Sequence, residues 1–459
     1  MAVFIRPLNE YARHVSMPTQ RGEPARQASL REHNLALVLR ELADGGPASR
    51  ARLAASTGLT KGTVSSIVEA LLEARLVAEL GAAPVARAIG RPGQSLGLNP
   101  AGPVGVGLEI NVDYLATCTV DLTGAVLHRQ IVAADFRGQH VATVLTRAAH
   151  AVRQALEAAA AAGSDVAGLA VAVPGLVETG AAILRLAPNL GWLDVPVLTA
   201  LREHPVLADA ASGLPMRLDN EANLAALGEL WCGGQLWCSG ELSGGGELWR
   251  RGPVGGAAEG PQPSFIHISG EVGVGAGVVV DGQLYRGRRG FSGEVGHLPV
   301  APTGPRCACG ARGCLEQVAG QEAILRQAGI PAAFVSTLTG RPEGSVDELV
   351  GRARSGDAQA LSAIADAGHC LGIGIAALVN LLDLDTVVLG GLYAVLAPWL
   401  RRSVEEELAA RVLATPWAPV RLLVSRLGGE AAVRGAATSV LREVLADPAA
   451  YLARVATTG

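Results

Sequence analysis

His297, Cys307, Cys309 and Cys314 place one imidazole and three thiols within eighteen consecutive residues of a 459-residue chain. No other feature restricts the fold as tightly, because ligands that close on one ion force the intervening chain into a compact loop. One imidazole and three thiolates complete a tetrahedral zinc shell, and a shell filled by protein leaves no position for water or substrate. The ion expected here is therefore a structural Zn2+. Gly310 and Gly313 lie among these ligands, where a short backbone has to wrap a centre. The plainer alternative is a group of free cysteines. Three of the chain's seven cysteines within eight residues argue against it. In a reducing compartment such crowding reads as metal binding before disulfide.

Hydropathy patterning organises the rest. Residues 1–30 show no sustained periodicity and read as a flexible arm. A helix is expected over 33–44, closed by Gly45-Gly46-Pro47. Ser49 can cap a short second helix, and Thr60 a third. On the third, Val64, Ile67, Val68 and Leu71 form one apolar stripe. Gly62, Ser66 and Glu69 occupy the opposite face, with Lys61 and Ser65 at its margin. Strand-like runs at 76–80 and 95–98 flank a loop carrying Arg87 and Arg91. Three helices and a two-stranded wing describe a winged helix-turn-helix over residues 31–99. Asn99-Pro100-Ala101-Gly102-Pro103 reads as a linker. Strands at 104–108, 115–121, 125–130 and 166–173, with a helix over 141–162, then announce an α/β body. Residues 232–262, rich in Gly, Ser and Glu, read as a mobile insertion. Strands return at 265–269, 273–280 and 386–389, and the last helix is expected near 431–445. There is no internal repeat of fixed period. No apolar run long enough to span a bilayer and no secretory pattern is apparent, so the cytoplasm is expected and no membrane partner.

Charge is uneven. The whole chain carries a formal −4, yet residues 1–100 hold 11 arginines and the chain's single lysine, Lys61, against 8 acidic residues. A basic head on an acidic body suits a nucleic-acid reader. Thr60, Lys61, Gly62, Ser65 and Ser66 are the candidates for major-groove and phosphate contacts. Arg87 and Arg91 are candidates for the adjacent minor groove or backbone, or else belong to a solvated loop.

Gly293-Glu294-Val295-Gly296-His297, followed by Cys307-Ala308-Cys309-Gly310-Ala311-Arg312-Gly313-Cys314-Leu315-Glu316, resembles the signature of the ROK family of repressors, open reading frames and kinases. Further landmarks stand in order: Val173-Pro174-Gly175, Ala187-Pro188-Asn189-Leu190-Gly191-Trp192, Asp219-Asn220-Glu221-Ala222-Asn223, Gly273-Val274-Gly275-Ala276-Gly277 and Val388-Leu389-Gly390-Gly391. They span nearly all of residues 101–459. The resemblance implies a two-lobed, actin-like and hexokinase-like (ribonuclease H-like) ATPase fold. Residues 100–218 would form lobe 1, completed by about 430–459. Lobe 2 would run over 219–429, with the zinc loop at 297–316. By the same resemblance Asn189, Asn220, Glu294, His297 and Glu316 are sugar-contacting residues, and His297 is also a zinc ligand. Carboxylates and amides suit paired sugar hydroxyls, and a lost buried hydrogen bond discriminates between sugars. The plainer alternative is that these residues are helix caps and surface acids.

The kinase parts depart from the family pattern. The general base is an Asp in the kinases, and Glu221 stands at that position. A carboxylate displaced by about one bond length can cost roughly a hundredfold in rate. Glu109-Ile110-Asn111-Val112-Asp113 replaces the glycine-rich first phosphate loop, and Ser269-Gly270-Glu271 places a carboxylate in the second. Glu221 is therefore expected to line the sugar site without catalysing. Three classes remain open: a sugar-responsive repressor, an active aldose kinase with an accessory head, and a DNA-binding protein whose body only oligomerises. The first is expected, with no enzymatic activity. Its partners would be palindromic operator DNA and a sugar effector, in a homodimer or homotetramer, and Asn220-Glu221-Ala222-Asn223 resembles the xylose-repressor branch.

Overall fold

A computed structural model describes residues 27–82, 94–233, 263–331 and 344–458. Arg87, Arg91, most of the expected arm and most of the expected insertion lie outside the described residues.

The head comprises α1 (Gln27–Gly45), α2 (Arg50–Thr57), α3 (Lys61–Glu73), β1 (Val77–Ala82) and β2 (Gln94–Leu98), the two strands pairing antiparallel. Helix α1 begins at Gln27, so the last residues of the expected arm are helical. Ser49 accepts from Arg52 N and Thr60 from Thr63 N, which satisfies otherwise orphaned donors at the starts of α2 and α3. Gly58 turns the chain between them at φ +71°. Val64, Ile67, Val68 and Leu71 are all buried, as their spacing requires.

The body holds two five-stranded sheets. The first lobe contains β3 (Val104–Ile110), β4 (Tyr114–Val120), β5 (Val126–Ala133), α4 (Val141–Ala161), β6 (Val166–Val173), β7 (Leu176–Glu178), β8 (Ile183–Ala187), β9 (Trp192–Val195), α5 (Val197–Arg202), β10 (Met216–Asn220) and α6 (Glu221–Gly228). The second contains β11 (Phe265–Gly270), β12 (Val274–Val280), β13 (Gln283–Leu284), α7 (Leu315–Ala319), α8 (Gln321–Gln327), α9 (Ser345–Arg354), α10 (Ala358–Leu382), β14 (Thr386–Gly390), α11 (Gly391–Arg411) and β15 (Arg421–Val424). Helices α12 (Ala431–Ala446) and α13 (Pro448–Thr458) end the described chain. Helix α13 lies beyond the last helix that the sequence pattern announced.

The strand orders are β10-β6-β3-β4-β5 and β13-β12-β11-β14-β15. Numbered within each lobe, both read as the same succession: three strands joined antiparallel, then two added in parallel to the first. The fold repeats a unit that the sequence does not show as a repeat. Strand β10 ends at Asn220, so an expected boundary at 218/219 falls within a strand of the first sheet.

One hydrophobic core lies between the first sheet and α4, and a second packs α7–α11 against the second sheet. A third joins α1 and α3 of the head to α12 and the outer side of the first sheet. Contrary to the expectation from run length, helix α10 is apolar and long enough to cross a bilayer. Its residues Ala360, Ile364, Leu371 and Ile375 are buried in the second core, which accounts for that hydropathy without a membrane. The stretch read as a linker is also packed. Asn99 Nδ2 donates to Arg75 O at 2.9 Å, Ala101 N to Asn99 Oδ1 at 3.0 Å, and Arg75 Nη2 to Ala101 O at 2.5 Å. Proline and glycine here mark a tight joint rather than a loose tether.

Candidate functional site

Local backbone chemistry aims the polar groups. Gly293 adopts φ +99°, and a Cβ there would lie 2.0 Å from Ala276 O. Only glycine lets this loop lie against β12, and the following turn, Val295–His297, presents Glu294 and His297 on one side. Asn189 comes from the turn between β8 and β9, and Glu316 from the first turn of α7. Asn220 and Glu221 stand where β10 passes into α6.

All six residues that the sequence nominates for sugar, Asn189, Asn220, Glu221, Glu294, His297 and Glu316, line one cleft of about 220 Å³ between the lobes. Asn220 is also the cap of α6. Its Oδ1 accepts from Ala222 N at 2.8 Å and Asn223 N at 3.2 Å, while Nδ2 donates to Gly175 O at 3.0 Å and Glu221 Oε2 at 2.9 Å. The cap and the cleft residue are therefore the same side chain. Enclosure raises the Glu221 carboxyl well above the ordinary carboxylate range, and Glu294, Glu109 and Glu271 push it further. Burial likewise raises Glu294. Asn111, Ser269 and Glu271 also face the cleft. In the sequence they stand only as departures from a phosphate loop. Their polarity was the signal that could have placed them in the site.

Beneath the cleft, Glu109 is buried at the end of β3. Its Oε1 accepts from Tyr114 Oη at 2.5 Å and from Asn111 Nδ2 at 3.4 Å. Burial pushes its pKa up to about 7. The protein's own side chains fill the region of the first-lobe hairpin turn.

The lobes are also tied directly. Arg286 Nη1 donates to Asp219 Oδ2 at 2.5 Å, and Arg137 Nη2 meets Glu322 Oε1 at 2.9 Å. Neither arginine was singled out in the sequence, since a lone surface arginine carries no pattern.

The donor atoms of His297, Cys307, Cys309 and Cys314 all lie within 4.8 Å of one another. Cys309 Sγ is 3.7 Å from Cys314 Sγ, and Cys307 Sγ is 3.6 Å from His297 Nδ1. Ligands about 2.0–2.3 Å from a tetrahedral centre stand roughly 3.5–3.8 Å apart, so these two edges fit a zinc-sized ion. The loop is cross-braced: Cys307 N donates to Ala311 O at 2.9 Å and Gly313 N to Pro305 O at 2.8 Å. A Cβ on Gly313 would overlap Ala301 O. Glu316 Oε1 accepts from Cys307 Sγ at 3.2 Å, which joins the cysteine cluster to the cleft.

On the head, Thr60, Lys61, Gly62 and Ser66 are exposed and Ser65 is half-buried. The Thr60 hydroxyl is engaged as the cap of α3 and with Thr63 Oγ1 at 2.8 Å.

Comparisons with known proteins follow this architecture. The sequence matches the ROK family over residues 105–240 and 255–443. The xylose repressor of Bacillus subtilis (strain 168) is 28% identical over 423 residues, covering 92% of this chain and 98% of the relative. A solved ROK family transcriptional regulator, a homologue of the E. coli MLC protein, aligns with a TM-score of 0.67 at 27% identity, over 91% of this chain and 97% of its own. A ROK family glucokinase from Streptomyces griseus, solved with glucose and AMPPNP, aligns with a TM-score of 0.56 at 26% identity, over 73% of this chain and 98% of its own. The repressor and regulator likenesses extend into the head, whereas the kinase accounts for little more than the body. With the family match running through both lobes of the body, the chain belongs to the ROK family.

Proposed function

We propose that this chain is a sugar-responsive transcriptional repressor of carbohydrate-utilisation genes, acting in the cytoplasm. The observation that carries the reading is the convergence of Asn189, Glu221, Glu294, His297 and Glu316 on one interlobe cleft, in a chain whose basic head presents an exposed α3. The head serves as a winged helix-turn-helix, with α3 entering the major groove through Lys61, Gly62, Ser65 and Ser66. Thr60 acts through its cap and a neighbouring phosphate. Two-fold pairing of chains would match a palindromic operator, with half-sites about one or two helical turns apart.

Zn2+ held by His297, Cys307, Cys309 and Cys314 would supply structure rather than chemistry. Burial raises the thiols of Cys307 and Cys314 while the backbone N–H of Ala311 lowers that of Cys309, and a bound cation would favour the thiolate form of all three. The ion would fix the ring of His297, whose loop also carries Glu294.

The body binds sugar without phosphorylating it. A general base must be free to take a proton, and the surroundings of Glu221 favour its protonated form. Glu221 then acts as a hydrogen-bond donor to a sugar oxygen. The glucokinase likeness favours a kinase as the second reading, and sugar-dependent ATP turnover lost in Glu221→Gln would establish it.

The test is an operator-binding titration with and without a monosaccharide panel that includes xylose, on the native chain and on Glu294→Ala. One sugar is expected to change operator affinity at least tenfold in the native chain. Glu294→Ala is expected to lose most of that response and keep the sugar-free affinity. An identical sugar response in both proteins would show that the cleft is not the sensor.

A further inference from the structure

We infer that a second sugar subsite adjoins the cleft, so that a disaccharide is a stronger effector than a single sugar. The inference rests on the sugar-sensing reading and names the ligand class. A separate cavity of about 280 Å³ is bounded by Arg137, Asn189, Glu316, Gln317, Glu322 and Arg326. Asn189 and Glu316 line this cavity and the cleft alike, so the two spaces share a wall.

Gly273 sits at that wall. A Cβ there would lie 3.2 Å from Asn189 Nδ2 and 3.3 Å from Glu316 Oε2. Any side chain would crowd both groups of the shared wall, and glycine keeps that space clear. Size points the same way. The cleft offers about 220 Å³ and its neighbour about 280 Å³, each below the roughly 300 Å³ at which ordinary small-molecule pockets begin. Joined, they pass it.

The lining decides the chemistry. Arg137 is shared between Asp135 at 3.2 Å and Glu322 at 2.9 Å, and Arg326 Nη2 donates to Gln317 O at 3.3 Å. Glu316 and Glu322 balance the two arginines, so no net positive charge awaits a phosphate. The cleft itself offers no arginine or lysine to hold an anion, and its lining carries Glu271 and Glu316 beside Glu221, which burial holds toward its neutral form. Donors and acceptors without net charge suit ring hydroxyls. The walls also come from both lobes: Arg137 and Asn189 from the first, Glu316, Gln317, Glu322 and Arg326 from the second. A two-ring ligand would therefore bridge the lobes and favour one interlobe arrangement more strongly than one ring can.

Isothermal titration of the full chain tests this with xylose against xylobiose, glucose against cellobiose and maltose, and glucose 6-phosphate. At least one disaccharide is expected to bind tenfold or more tightly than its parent monosaccharide. Arg326→Ala should remove that advantage and leave monosaccharide binding unchanged, Arg137→Ala should remove it whatever the loss of its tie to Glu322 does to monosaccharide binding, and Glu294→Ala should weaken both. A monosaccharide binding as tightly as every disaccharide overturns the subsite alone, as does an advantage that survives both arginine substitutions, or glucose 6-phosphate binding more tightly than any neutral sugar. No binding of any sugar overturns the sensing reading, and the subsite with it.

Discussion

Glu109 is a carboxyl whose folded state holds its proton to about pH 7, against an ordinary value of 4.5, because burial disfavours the charge. The unfolded chain releases that proton first. Between those values the folded chain binds more protons, so this group's contribution falls as pH rises. Glu109→Gln keeps the acceptor for Tyr114 Oη and removes the ionisation. Its melting temperature should match the native chain near pH 5 and exceed it by a few degrees near pH 8, reflecting about 1–3 kcal/mol. Asp113, Glu221 and Glu229 are raised by burial too and remain in both proteins, so the difference reads the ionisation of Glu109 together with the repulsion that it exerts on Glu221. A difference that does not grow with pH would show that Glu109 is ionised without cost. The cysteine cluster yields a second residue-scale expectation. Metal analysis should find one zinc per native chain and a clear loss in Cys309→Ser. Chelator should lower the melting temperature of the native chain and leave that of the variant little changed. Sugar affinity should fall with the metal, because His297 belongs to both sets.

At the scale of elements, α3 combines a fully buried stripe with an exposed face, and its only lysine stands at the first turn. Lys61→Ala leaves the buried stripe intact. It should weaken operator binding and reduce the salt slope by about one, the signature of one lost phosphate contact. An unchanged slope would remove α3 from the interface. The α6 element shows a different economy. Asn220 and Glu221 begin it inside the cleft, and it continues into a π-helical turn at Glu229–Gly233. Such turns interrupt regular helix and often occur at functional positions.

For the whole molecule, the question is how a cleft between lobes reaches a head packed on one of them. Trp231, in the π-helical turn, lies 5.6 Å beneath Arg442 of α12, and Arg442 Nη1 stands 3.7 Å from Asp44 of α1. Trp231 and Cys232 also line a cavity against Leu42, Pro47 and Leu98 of the head. One continuous element thus runs from the cleft to the head, whereas the Asn99–Pro103 joint is braced. Coupling requires the sugar to bind two arrangements with different affinity. Trp231→Ala should retain sugar binding and operator binding separately and lose at least half of the sugar-induced change in operator affinity, read by the same titrations in parallel. A full response in the variant would place the coupling elsewhere.

The sequence by itself determined what depends on neighbours along the chain. Ser49 and Thr60 cap their helices, Val64 to Leu71 bury one stripe, and the spacing from His297 to Cys314 closes one loop, because periodicity, capping and short ligand spacing are local. Family motifs also named the six cleft residues before any geometry. Tertiary structure alone decided what depends on distant partners. It paired two sheets of the same strand order without a sequence repeat, since a fold conserves hydrophobic faces rather than letters. It made the Asn99–Pro103 joint stiff through Arg75, and turned the apolar length of α10 into a packed core helix. It gave Asn220 a cap and a cleft together. It also set Arg137 and Arg326 beside Asn189 and Glu316, because a cavity exists only where surfaces remote in sequence fail to meet.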